Sequence, residues 1–200
     1  MAKIIAPIGK SLGPILNQKK EIESFDLMIG DGIEELTSIE WSTWNAAHAE
    51  PSLHNELKVT RDTCKDAVKR ESDDSQADDL DQVIDKLITL GALKEFEPTT
   101  SEITAFLSQV SVIPTAAAVG SAPEQPEQYR ITDGSGDYAD IDGWTRDIWA
   151  LSHREASAWR ACELIAEAFT NETPESVATT TFGGLLGLVS MYFGFLEPIE

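Results

Sequence analysis

The chain repeats its own landmarks about 100 residues apart, and no other feature of the sequence constrains the fold as strongly. Near the start, Ile5-Ala6-Pro7 leads through Leu12-Gly13 to Leu27-Met28-Ile29-Gly30-Asp31-Gly32. Past the middle, Ile113-Pro114 leads through Val119-Gly120 to Tyr129-Arg130-Ile131-Thr132-Asp133-Gly134. Trp44 and His48 return as Trp149 and His153, Cys64 returns as Cys162, and Phe96-Glu97-Pro98 is echoed by Leu196-Glu197-Pro198. Matches in unbroken order with a slowly drifting spacing point to two copies of one unit that differ by loop insertions and deletions. A chain of 200 residues then divides into expected domains 1–107 and 108–200, each large enough to hold its own core.

Composition limits what such units do. Apolar residues make up 42% of the chain and charged residues 25%, which favours packed domains over disorder. The net charge is −20, from 15 basic and 35 acidic residues, and residues 108–200 contain no lysine. A field of that sign repels polyanions, so nucleic acid is not an expected partner, whereas a basic protein is. The two cysteines occupy matching repeat positions and read as buried apolar groups rather than as a disulfide. The N-terminus has too few apolar residues for a signal peptide, and the apolar stretch 182–196 is shorter than the roughly 20 residues a membrane span requires. The expectation is a cytoplasmic chain with no membrane partner.

Each copy opens on a short apolar run ending in proline, Lys3–Pro7 or Val110–Pro114. A second run follows, Phe25–Ile29 or Gln128–Ile131, closed by Asp-Gly; both read as short strands. Thr37 or Ser38 is then placed to cap a helix carrying Trp41 and Trp44, and Asp140 or Asp142 one carrying Trp144 and Trp149. Second helices are expected around Cys64 (Val59–Lys69) and Cys162 (Ala156–Phe169). The third helix of copy one is the plainest: Asp78 as cap, a stripe of Leu80, Val83, Ile84, Leu87 and Ile88, and Gly91 as the stop before a strand at 92–97. Its copy-two counterpart runs from Ser176 towards Leu196, and an amphipathic segment within Thr99–Gln109 joins the copies.

Three helices, a stop glycine and a strand resemble the winged helix-turn-helix plan. The run Leu80-Asp-Gln-Val-Ile-Asp-Lys-Leu-Ile-Thr-Leu-Gly-Ala-Leu-Lys-Glu-Phe96 is similar to the recognition helix and first wing strand of MarR- or PadR-type regulators. The resemblance covers 36–98 and, more faintly, 141–198. It implies an α+β, helix-rich chain of two tandem winged-helix-like domains related by internal duplication. It also implies DNA binding through the third helix, and here the residues depart from the pattern. The outward positions are Asp78, Asp81, Gln82, Asp85, Lys86 and Thr89, and the wing supplies no compensating basic group. Asp78, Asp81, Gln82, Asp85 and Lys86 are accordingly the expected partner-binding face. The basic residues Lys58, Arg61, Lys65, Lys69 and Arg70 gather on the second helix, diluted by Asp62, Asp66 and Glu71.

Copy two ends without a strand after its own wing strand. The expectation is that Lys3–Pro7 completes it, within one molecule or across a homodimer, while Val110–Pro114 completes copy one.

Nothing in the sequence assembles catalysis. His48, His54 and His153 read as structural, and no Cys/His spacing fits a metal site. The acidic run 71–79 lacks the glycine and terminal glutamate of an EF-hand loop, and no glycine cluster has phosphate-loop spacing. Neither metal nor cofactor is expected. The five tryptophans read mainly as core, with a partner-binding aromatic patch as the alternative. The functional expectation is a non-catalytic regulatory or adaptor protein that binds another protein through acidic or aromatic faces. The alternatives are a DNA-binding regulator of winged-helix type and an enzyme with dispersed catalytic residues.

Overall fold

The computed structural model describes residues 2–71 and 79–199, and it is mixed α+β. The chain forms two compact units, Met1–Ala49 with Lys58–Glu97, and Glu50–Leu57 with Pro98–Glu200. The repeat alone places the boundary between 107 and 108. In the structure the division falls at Pro98, because the joining helix packs on the long helix of the second unit, and residues 50–57 join that unit for the same reason.

The first unit begins with β1 (Ile4–Pro7), β2 (Lys10–Leu16), β3 (Ile22–Ile29) and β4 (Gly32–Leu36), followed by α1 (Ser38–Ala46). The chain gives α2 (Pro51–Asn55) to the second unit, then returns with α3 (Arg61–Glu71), α4 (Leu80–Leu90) and β5 (Leu93–Phe96). Strands β2, β3 and β4 form an antiparallel sheet, and β1 pairs antiparallel with β5. A reciprocal capping box fixes the start of α1: the Thr37 hydroxyl accepts from Glu40 N, and the Glu40 carboxylate accepts from Thr37 N. Burial raises the Glu40 pKa, but the ion pair with Lys86 and the bonds from Thr37 outweigh it and hold the carboxyl below its ordinary range. Trp44 fills the centre of the unit and donates its indole N–H to the Ile8 carbonyl at 3.0 Å. In α4 the apolar stripe turns Leu80, Ile84 and Leu87 inward. The cap is Asp79, whose side chain accepts from Gln82 N; the expected cap, Asp78, lies outside the described residues.

The second unit contains α2, α5 (Thr100–Leu107), β6 (Val110–Pro114), β7 (Ala117–Ser121), β8 (Tyr129–Thr132), β9 (Tyr138–Ile141), α6 (Gly143–Leu151), a 3-10 turn at Ser152–Arg154, α7 (Ala158–Ala168), α8 (Pro174–Ser190) and β10 (Gly194–Pro198). Strands β7, β8 and β9 form one antiparallel sheet, and β6 pairs with β10. Helix α8 is buried on most of its circumference, as befits an element packed on several sides: α2, α5, α6 and α7 all lie against it. Its approach to α2 is close enough that a Cβ on Gly183 would sit 2.8 Å from the Asn55 carbonyl oxygen.

The expected exchange of strands does not occur. Ile4 faces Phe96 and Pro7 faces Leu93, so β1 completes the first unit, while Val110 faces Pro198 and Pro114 faces Gly194 in the second. Each opening strand therefore closes on the strand that ends its own unit. The reason is local: the turn after α4 aims β5 at β1, with Ile8 N donating to Ala92 O, and Thr115 N donates to Phe193 O in the same way after α8.

The pairing also sets the two units in register with one another. Leu27, not Ile29, stands where Ile131 stands: each is fully buried on the middle strand of its sheet and pairs with the residue two before a glycine at a register shift, Ser11 before Gly13 and Ala118 before Gly120. The closing Glu-Pro match is one residue out of register, since Phe96 faces Ile4 where Glu197 faces Ser111. Thr37 and Asp142 cap their helices alike, accepting from Glu40 N and Thr145 N.

The same helix-stop turn is made by different residues. Gly91 and Tyr192 both take positive φ, +83° and +58°, and the following amides, Ala92 N and Phe193 N, bond back to Leu87 O and Leu188 O. A side chain in this conformation costs about 1–2 kcal/mol, a cost glycine avoids. Gly91→Ala, with open space around the added methyl, is expected to lower stability by about 1 kcal/mol, and Tyr192→Gly to raise it by about 0.5–1 kcal/mol. Denaturant melts of the two variants, compared at equal m-value, check both signs.

Candidate functional site

The outward face of α4 is where the departure from a DNA-reading helix is concentrated. Asp81, Gln82, Asp85 and Lys86 are all exposed there, while Asp78 lies outside the described residues. Tertiary packing adds something the sequence does not announce: these charges are already paired. Arg61 on α3 reaches across to Asp85 at 2.7 Å and to Glu95 on β5 at 2.6 Å. Lys65, one turn further along α3, bonds both oxygens of Asp81 at 3.1 and 3.2 Å and also meets Asp62. Lys86 turns back onto the buried Glu40. Two of the basic residues that gather loosely on α3, Arg61 and Lys65, are thus engaged with α4 and β5. The hydrogen bonds that Arg61 donates to Glu95, and then to Asp85, raise its pKa above an already high value despite some desolvation. What remains on the surface is a partly neutralised acidic face with Asp81 and Asp85 side chains 58% and 65% exposed.

The second unit carries an aromatic cleft of about 490 Å³. It is lined by Tyr129 at the start of β8, by Asp142, Trp144, Arg146 and Asp147 around the first turns of α6, and by Phe169 after α7. Trp144 and Phe169 meet edge to face at 5.6 Å, and the Arg146 guanidinium lies over the Tyr129 ring at 3.7 Å. Asp142 is occupied as the helix cap, one oxygen accepting from Thr145 N and the other from the Thr145 hydroxyl. Asp147 accepts both Arg146 bonds on one oxygen, Oδ1.

The tryptophans divide between core and surface. Trp44 and Trp149 are buried, and Trp149 donates to the Phe193 carbonyl at 2.8 Å. Trp41 stacks on Phe25 at 4.4 Å, and Trp159 donates to Glu163; both are half-buried, as is Trp144. Five residues apart on α6, Trp144 and Trp149 face different sides of the helix, and only the neighbours decide which side is covered.

The remaining chemistry-bearing residues are dispersed. His48 Nδ1 lies 3.3 Å from the Trp44 carbonyl, the helix-end contact expected of it, whereas His153 meets the adjacent Arg154 and His54 is buried in the second unit. Burial pushes both cysteine thiols up to about 12, far from the thiolate that nucleophilic chemistry requires. Among the described residues, no group of three His, Cys, Asp or Glu side chains is placed to hold a metal ion, and no helix is long and apolar enough to cross a membrane. The acidic run considered as a calcium loop lies almost wholly outside the described residues. Comparison with family models, with curated proteins and with solved structures finds no match to this chain.

Proposed function

We propose that the chain is a non-catalytic regulatory or adaptor protein that binds a protein partner through two tandem winged-helix-like units arisen by internal duplication. Duplication is supported by the shared order of elements and by equivalent strand pairings, bulges, caps and helix-stop turns in the two units. The observation that carries the function is the surface of α4. The helix that a winged-helix DNA binder lays in the major groove here presents Asp81, Gln82 and Asp85, and its neighbouring cations, Arg61, Lys65 and Lys86, are held by carboxylates of the same unit. A phosphate array meeting this face would find few free positive charges. A protein surface carrying Arg and Lys would find exposed carboxylates.

The test is a fluorescence-anisotropy titration with a random-sequence DNA duplex at low and then physiological salt, run beside affinity capture of the partner by the wild-type chain and by Asp81→Asn/Asp85→Asn. The neutral variant is chosen because reversal would set lysines against Arg61 and Lys65. Exposed pairs contribute at most about 1 kcal/mol each, so the variant stays folded. No DNA binding at low salt, with capture reduced about tenfold or more in the variant, supports the proposal. Salt-sensitive DNA binding overturns it in favour of a regulator. Undiminished capture excludes the α4 face.

A further inference from the structure

We propose that the cleft between β8, the first turns of α6 and the segment after α7 binds the guanidinium group of an arginine side chain presented by a basic segment of the partner protein. The site takes a protein partner as given and adds a second contact surface, on a different unit from α4 and with its own recognition chemistry.

Three features point to a cation. The walls are aromatic: Trp144 and Phe169 form one edge-to-face pair, and Phe169 is 48% exposed, leaving π-surface open to an incoming group. Aromatic faces attract guanidinium through their quadrupole, and Trp most strongly. Second, a carboxylate acceptor remains. Both Arg146 bonds fall on Asp147 Oδ1, and Oδ2 has no hydrogen-bond partner among the described residues. Third, the cleft already holds one guanidinium in this manner, Arg146, between the Tyr129 ring and Asp147. An arginine from outside would repeat the arrangement on the other side of the same carboxylate, with Trp144 and Phe169 as its aromatic face.

An anion is the less favoured occupant. Among the described residues Arg146 is the one cation lining the cleft; it is committed to Asp147 and to the Tyr129 ring, and an anion would approach Asp142 and Asp147 as well. The surroundings reinforce this, since residues 108–200 carry four basic and 14 acidic side chains. Arginine is preferred to lysine because a planar guanidinium stacks on a ring while its edge meets a carboxylate, whereas an ammonium does one at a time.

The experiment uses the full chain and three short fluorescein-labelled peptides in which arginine, lysine or glutamate alternates with glycine. Anisotropy titrations at physiological salt are expected to order them arginine, lysine, glutamate. Trp144→Ala and Asp147→Asn are each expected to weaken the arginine peptide about fivefold or more, with Trp144→Phe retaining most of the affinity because the aromatic face survives. Circular dichroism and a thermal melt confirm that each variant is folded, and Asp147→Asn serves as the reading if Trp144→Ala is not. Equal affinity for the arginine and glutamate peptides overturns the inference. So does arginine-peptide binding that survives Trp144→Ala and Asp147→Asn; loss in Asp81→Asn/Asp85→Asn alone would then refute the cleft while leaving the α4 face, and the proposed function, standing.

Discussion

Gly183→Val is expected to destabilise the second unit by about 2–3 kcal/mol and to lower its melting temperature by roughly 5–10 °C. A Cβ at this position would lie 2.8 Å from the Asn55 carbonyl oxygen and 3.0 Å from the Asn55 Cα, and both are backbone atoms. Neither can rotate away, so either α2 moves off α8 or the helix shifts, and each course opens a packed contact. The gain in helix propensity on losing a glycine, at most about 1 kcal/mol, offsets only part of this. Gly187→Ala is the control. Its nearest neighbour is the Asn55 side-chain oxygen at 3.2 Å, which can turn aside, so that variant should melt within about 1 kcal/mol of wild type. If α2 is displaced, limited proteolysis within 50–57 should quicken in the valine variant and not in the alanine control. Two variants with the same melting point would show that α8 and α2 are not in close contact.

The tryptophans are expected to separate just as sharply. Trp44→Ala should cost about 3–5 kcal/mol, since it empties a fully buried site and leaves the Ile8 carbonyl without its donor. That is a large share of the 5–15 kcal/mol by which a domain is typically stable. Trp144→Ala, at a half-buried position on the cleft, should cost about 1 kcal/mol or less while removing the aromatic wall. Urea melts of both variants followed by far-ultraviolet circular dichroism measure the difference. Equal losses would place Trp144 in the core and take away its role in recognition.

Much of the local structure was legible from residue patterns because its causes are local. Of the cap candidates, Thr37 rather than Ser38 and Asp142 rather than Asp140 hold the helix starts, and Gly91 after the α4 stripe is the helix stop expected of it. The short runs ending at Pro7 and Pro114 are strands, and the amphipathic segment within Thr99–Gln109 is α5. Errors arose where a decision needed a partner from elsewhere in the chain. Pro7 and Pro114 announce strands but not whose edge they cover, and the expected exchange failed for that reason. Tyr192 holds the turn that glycine holds in the first unit, so a reading that seeks glycine passes over it. The α4 face was identified residue by residue, yet its pairing with Arg61 and Lys65 depends on how α3 lies against α4.

By itself, the sequence determined that this chain is acidic, that it repeats its landmarks, and roughly where most of its helices and the strands ending at Pro7 and Pro114 lie, but not α2, β2, β4, β7 or β9. Those properties follow from charge count, from spacing along one chain, and from hydrogen bonds spanning three or four residues. Only the tertiary structure decided that β1 closes on β5 and β6 on β10, that α2 packs on α8 through Gly183, and that Trp144 lines a cleft while Trp149 lies in the core. Each of these depends on which surfaces meet once apolar area is buried, and burial is a property of three-dimensional neighbours rather than of residue order.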